Sequence, residues 1–131
     1  MQDTGKLILR LALGLLILFH GVSKLMNGID PILAGVTGAG LPRAFGYLVY
    51  VGEVLAPILI VIGFLTRPAA LVICINMIFA VYLVHTSQFF TLSKAGGWAL
   101  ELQGMYFFTA LAIALLGAGR YSVGGTSSRW N

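Results

Sequence analysis

The chain has 131 residues, of which 59% are hydrophobic and only 9% are charged, with a net charge of +4 and a mean hydropathy of +0.96. A soluble domain carries about a quarter charged residues, so this composition excludes an ordinary water-covered surface and makes lipid the solvent. The basic residues are scattered among apolar runs rather than clustered with aromatics, which excludes a nucleic-acid partner and makes them topology signals.

Four apolar stretches fill almost the whole length. Residues 7–26 form the first, close to the ~20 residues that a helix needs to cross a bilayer. Lys6 and Arg10 precede an apolar run in the manner of a signal peptide. His20-Gly21-Val22-Ser23-Lys24 stands where a small-residue cleavage site would be, so an uncleaved first helix is expected. Arg10 and Lys24 lie near its two ends, where long basic side chains snorkel to the interfaces. Gly14 and Gly21 share one face and suit close helix packing. Asn27-Gly28-Ile29-Asp30-Pro31 breaks this helix. Residues 31–43 are Gly-rich and too short to span, and are expected as an interfacial or re-entrant helix.

The second span covers residues 44–65 and ends at Thr66-Arg67-Pro68. So short a connection makes spans two and three antiparallel neighbours. The third covers 69–90 and the fourth 98–116. Residues 124–131 are small and polar, and read as a flexible tail. The fold class is therefore an all-α membrane protein: an antiparallel four-helix bundle over residues 1–123. Lys6, Arg10, Arg67, Arg120 and Arg129 fall on one side, against Lys24, Arg43 and Lys94 on the other, which puts both termini in the cytoplasm. Trp98, Tyr47 and the Phe89-Phe90 pair suit the outer aromatic belt.

Five ionisable residues lie in or at the ends of these spans: His20, Lys24, Glu53, His85 and Glu101. Charge inside a bilayer is costly and marks functional sites. At ~1.5 Å of rise per residue, all five fall in the outer half of the membrane. Pro57 clashes with the carbonyl of Glu53, four residues earlier, which predicts a kink and a freed acceptor at the buried carboxylate. The bland readings stand beside this: Glu101 as a helix N-terminal residue, His85 as an interfacial one, His20 and Glu53 as a structural pair, Asn76 as glue between helices. No HxH or HExxH spacing occurs, so no metal is expected. Cys74 is the lone cysteine, which excludes an internal disulfide and makes it a packing residue.

The run Leu9-Arg10-Leu11-Ala12-Leu13-Gly14, continued by Phe19-His20-Gly21-Val22-Ser23-Lys24-Leu25, resembles the first helix of DoxX-type membrane proteins. Gly40-Leu41-Pro42, Gly52-Glu53, Gly63-Phe64-Leu65-Thr66-Arg67-Pro68 and Leu116-Gly117-Ala118-Gly119-Arg120-Tyr121 follow in the matching order. The resemblance implies a small four-helix protein of the bacterial inner membrane, from a group that includes the DoxD subunit of thiosulfate:quinone oxidoreductase. It singles out Gly21, Lys24 and Glu53. It implies a quinone-interacting or accessory subunit of a membrane redox complex, linked to sulfur, thiol or oxidative-stress metabolism. Such a subunit has no intrinsic cofactor beyond a bound quinone, takes electrons from a redox-protein partner, and works as a complex subunit or homo-oligomer rather than as a complete enzyme. A small oligomeric transporter and a non-catalytic assembly protein remain the alternatives.

Overall fold

The computed structural model describes residues 1–131, with side chains throughout except at Val84 and His85. It is helical, and among the described residues the only extended pairing is an isolated bridge between Leu92 and Trp98. Five helices are built. Helix α1 is Gln2–Asn27 and α2 is Asp30–Gly38. Helix α3 runs over Arg43–Ile62, α4 over Thr66–Leu83 and α5 over Glu101–Leu116. Three of them, α1, α3 and α4, are long and apolar enough to cross a membrane.

The boundaries differ from the sequence expectation where local chemistry intervenes. Helix α3 stops at Ile62 because Gly63 takes a left-handed conformation (φ 77°) as its C-cap. Helix α4 starts at Thr66 rather than after Pro68. Proline is tolerated there because first-turn amides have no intrahelical acceptor. Helix α5 starts at Glu101 and has 16 residues, about 24 Å of rise. Trp98 was expected inside it. The indole instead donates to the carbonyl of Phe89 (2.7 Å) and stacks edge-on against the Phe89 ring, closing residues 89–98 into a compact turn.

Small residues set the packing of α1 on α3. A Cβ on Gly14 would meet Val61 Cγ2 at 2.6 Å and the Pro57 carbonyl at 3.0 Å; one on Gly21 would overlap the Glu53 carbonyl outright. The pairs 14 with 57 and 61, and 21 with 53, define an antiparallel register. Leu13, Ile17, Ile60, Ala70, Ile73, Ala110 and Ile113 fill the core where α1, α3, α4 and α5 meet. Cys74 belongs to it, with its Sγ 3.5 Å from the Phe107 carbonyl.

Arg10 corrects the snorkelling expectation. It is 1% exposed. Its Nε donates to the Ile60 carbonyl (2.9 Å), Nη2 to Val61 (3.0 Å), and Nη1 to Ala118 (3.1 Å) and Tyr121 (2.8 Å). The last carbonyls of a helix have no partner of their own, and a guanidinium supplies a fixed fork of donors for them. Arg67 does the same for α5, donating to Ala114 and Leu115. The polar stretch 124–131, expected as a flexible tail, is folded under these helix ends. Asn131 is buried and accepts from the Thr66 amide and hydroxyl at 3.2 and 3.0 Å. The Thr66 amide is an orphan donor of a helix start, and this is what fixes the tail.

Replacing Arg10 with Met should lower stability in detergent by at least about 2–4 kcal/mol, because buried carbonyls lose a charged donor. Arg10→Lys should recover only part of it, as one ammonium cannot reach four acceptors in a planar fork. Thermal unfolding of the purified variants reads both effects.

Candidate functional site

The site begins with a proline. Pro57 has no N–H to give the carbonyl of Glu53. The turn before it, Val51–Leu55, widens into a π-helix in which the Ala56 amide bonds five residues back to Val51. Such turns interrupt α-helices at functional sites and re-aim their side chains. The freed Glu53 carbonyl points at Gly21, whose missing Cβ lets the two backbones touch. The Gly21 Cα–H then meets the orphan acceptor, a weak hydrogen bond of a kind common between membrane helices.

Lys24 lies three residues beyond Gly21, hence on the same face of α1. Its Nζ forms an ion pair with Glu53 Oε1. Asn76 of α4 donates from Nδ2 to the other carboxylate oxygen, Oε2, at 3.3 Å. Glu53 is 5% exposed, so its charge is buried with a partner on each oxygen. Asn76 reaches it because Gly52 leaves room: a Cβ there would meet the Asn76 side chain at 2.6 Å. The Lys24 carbonyl accepts from the Tyr50 hydroxyl at 3.4 Å. Three helices thus meet at one carboxylate.

These groups sit at the edge of a cavity of about 420 Å3. Lys24, Glu53 and Asn76 form its polar edge; Val36, Phe45, Val72, Phe79 and Leu83 are among the apolar side chains around it. Ligand sites of roughly 300–1,000 Å3 with apolar walls and a few convergent polar groups are the usual form of a small-molecule pocket.

The other sequence candidates are placed elsewhere. His20 is exposed on α1, with its ring edge-on to Tyr106 at 6.0 Å. It does not line the cavity. Glu101 is exposed in the first turn of α5, with its carboxylate folded over Gly97. The His85 side chain lies outside the described residues. Pro57 is buried, one residue into the regular α-helix that follows the π turn. Among the described residues no three His, Cys, Asp or Glu converge as metal ligands would. Sequence reasoning treated Asn76 only as interhelical glue. The signal available was its offset from Gly52-Glu53: an amide and a buried carboxylate on antiparallel neighbours, at matching depth.

Gly21→Ala should destabilise the protein by about 1–3 kcal/mol, because the methyl group collides with backbone that cannot move aside. Gly5, on the same helix, has nothing within 4 Å of its would-be Cβ. Gly5→Ala should therefore stabilise slightly, by up to about 1 kcal/mol. Unfolding midpoints of the two variants, moving in opposite directions, check the contact.

A family model described as DoxX matches residues 5–86, a stretch that holds Gly21, Lys24, Glu53 and Asn76. No curated protein and no solved structure matches the chain.

Proposed function

The chain belongs to the DoxX family of small membrane proteins, and from that premise we propose that its cavity binds the head of a membrane quinone within a redox complex. The observation that carries this reading is an apolar cavity with one paired, buried carboxylate at its edge. A bound quinone supplies two-electron, two-proton chemistry. The residues present fit such a head group. Lys24 keeps N–H donors beyond the one it gives Glu53, and these suit a carbonyl acceptor. The apolar walls hold an uncharged ring and exclude water. Glu53, bonded on both oxygens, takes up or gives a proton at Oε1 when Lys24 turns toward the ligand. The pair has no net charge, which suits a neutral ligand and disfavours anions. Electrons come from a partner protein, in keeping with a subunit rather than a complete enzyme.

The proposed setting is the bacterial cytoplasmic membrane, with both termini cytoplasmic and α5 as a fourth span. The 16 residues of α5 are fewer than the ~20 of a full span; local thinning of the bilayer and the aromatic turn at 89–98 make up the difference.

Binding of decylubiquinone, a short-tailed soluble quinone, tests the site in lipid nanodiscs. Lys24→Met and Glu53→Gln should each weaken it about 10- to 100-fold, the range of one charge-assisted hydrogen bond. His20→Ala should leave it unchanged. Equal affinity in all four proteins would refute the assignment. Solute flux through liposomes by the wild-type protein, without a redox partner, would favour the transporter instead.

A further inference from the structure

Helix α2 stands apart from the rest of the fold. Its neighbours are the start of α3 and the π turn at Val81–His85; the core helices lie across the cavity from it. Its inner face carries Ile29, Leu33 and Val36, all buried, and its outer face carries Asp30, Ala34 and Thr37, all exposed. Val36, with Ile32 and Leu41, forms the wall of the cavity opposite Glu53 and Asn76. Both ends are glycines with positive φ, Gly28 and Gly40, each at 82°. No atom lies within 4 Å of a Cβ built on either one. The segment is therefore held by apolar contact on one side and joined to the bundle beside two glycines with open space around them, and the Leu41 amide, bonded to the Val36 carbonyl at 3.1 Å, ties residues 36–41 into one unit.

We infer that residues 29–41 form a lid over the cavity, hinged at Gly28 and just past Leu41, and that its opening admits the ligand from the lipid. This rests on the quinone reading for the identity of the ligand, but not for the existence of the lid. The closed position is set by Leu33, which packs into the space left by Gly46. Closed, the lid sets Ile32, Val36 and Leu41 across the cavity from Glu53. Open, it exposes the apolar wall to acyl chains, which costs little because lipid is as apolar as the side chains it replaces.

The contact that closes the lid also supplies its lock. A Cβ on Gly46 would lie 3.6 Å from the Leu33 Cα, close enough for a disulfide. The test uses the full chain carrying Leu33→Cys, Gly46→Cys and Cys74→Ala, in nanodiscs, oxidised and reduced. Ligand-free amide exchange across residues 29–41 should slow about tenfold on oxidation and recover on reduction, because local opening is what exchange reports. Loading of decylubiquinone should slow by a similar factor, with little change in final occupancy. Unchanged exchange would show that α2 is already fixed and would overturn the lid. Slowed exchange with unchanged loading would overturn its role in access. A protein that takes up no quinone in either state would count against the quinone reading, and exchange alone would then decide the lid. Should the cysteine pair fail to fold, spin labels at Ala34→Cys and Leu115→Cys in the Cys74→Ala protein give an independent reading. Two distance populations are expected, and a single narrow one would refute the hinge.

Discussion

One close approach organises the cavity half of this molecule: Gly21 against the carbonyl of Glu53. A proline four residues on strips that carbonyl of its helical donor, and only a glycine lets the neighbouring helix come near enough to answer it. The same approach brings Lys24 to the carboxylate of the same residue. Backbone and side chain of Glu53 are thus both satisfied by one face of α1, through residues three apart. With Lys24 and Asn76 on its two oxygens, the carboxylate has a partner on each side at the edge of an apolar space.

The opposite end of the bundle solves a different problem with similar means. Helix ends inside a membrane protein leave carbonyls that water cannot reach. Arg10 and Arg67 satisfy them directly, and Asn131 answers the start of α4. That end is tied through side chains spread from position 10 to position 131. The cavity end is tied by the Lys24–Glu53 ion pair, the Asn76 amide and the Tyr50 hydroxyl, and one of its walls is a short helix between two glycines.

Much of this was legible in the sequence. Apolar length gave the membrane and the helices, because the bilayer fixes how many residues a span needs. The Pro57–Glu53 spacing pointed to the irregular turn at Val51–Leu55, and Gly14 and Gly21 to the packing face. Depth counting put Lys24 and Glu53 in one layer without pairing them, since it aligns heights but not helix faces. That is why His20 shared a layer with Glu53 on paper yet turns toward Tyr106. Arg10 was misread because snorkelling and capping ask for the same residue at the same helix end; only the neighbouring helix termini distinguish them. With Arg10 and Arg67 bound to helix ends and Lys24 paired with Glu53, the charge rule weighs Lys6, Arg120 and Arg129 against Arg43 and Lys94. The cavity was not legible, because its walls come from α2, the first half of α3 and one face of α4, whose apolar residues look like any others.

The most direct measurement is the identity of what the cavity holds. The protein, extracted from its native membrane in mild detergent, would be analysed by mass spectrometry for bound lipid-soluble molecules, beside Glu53→Gln prepared in the same way. The account predicts a near-stoichiometric isoprenoid quinone in the wild-type protein and its loss from the variant. A quinone-free wild-type protein, or equal quinone in both, would contradict it.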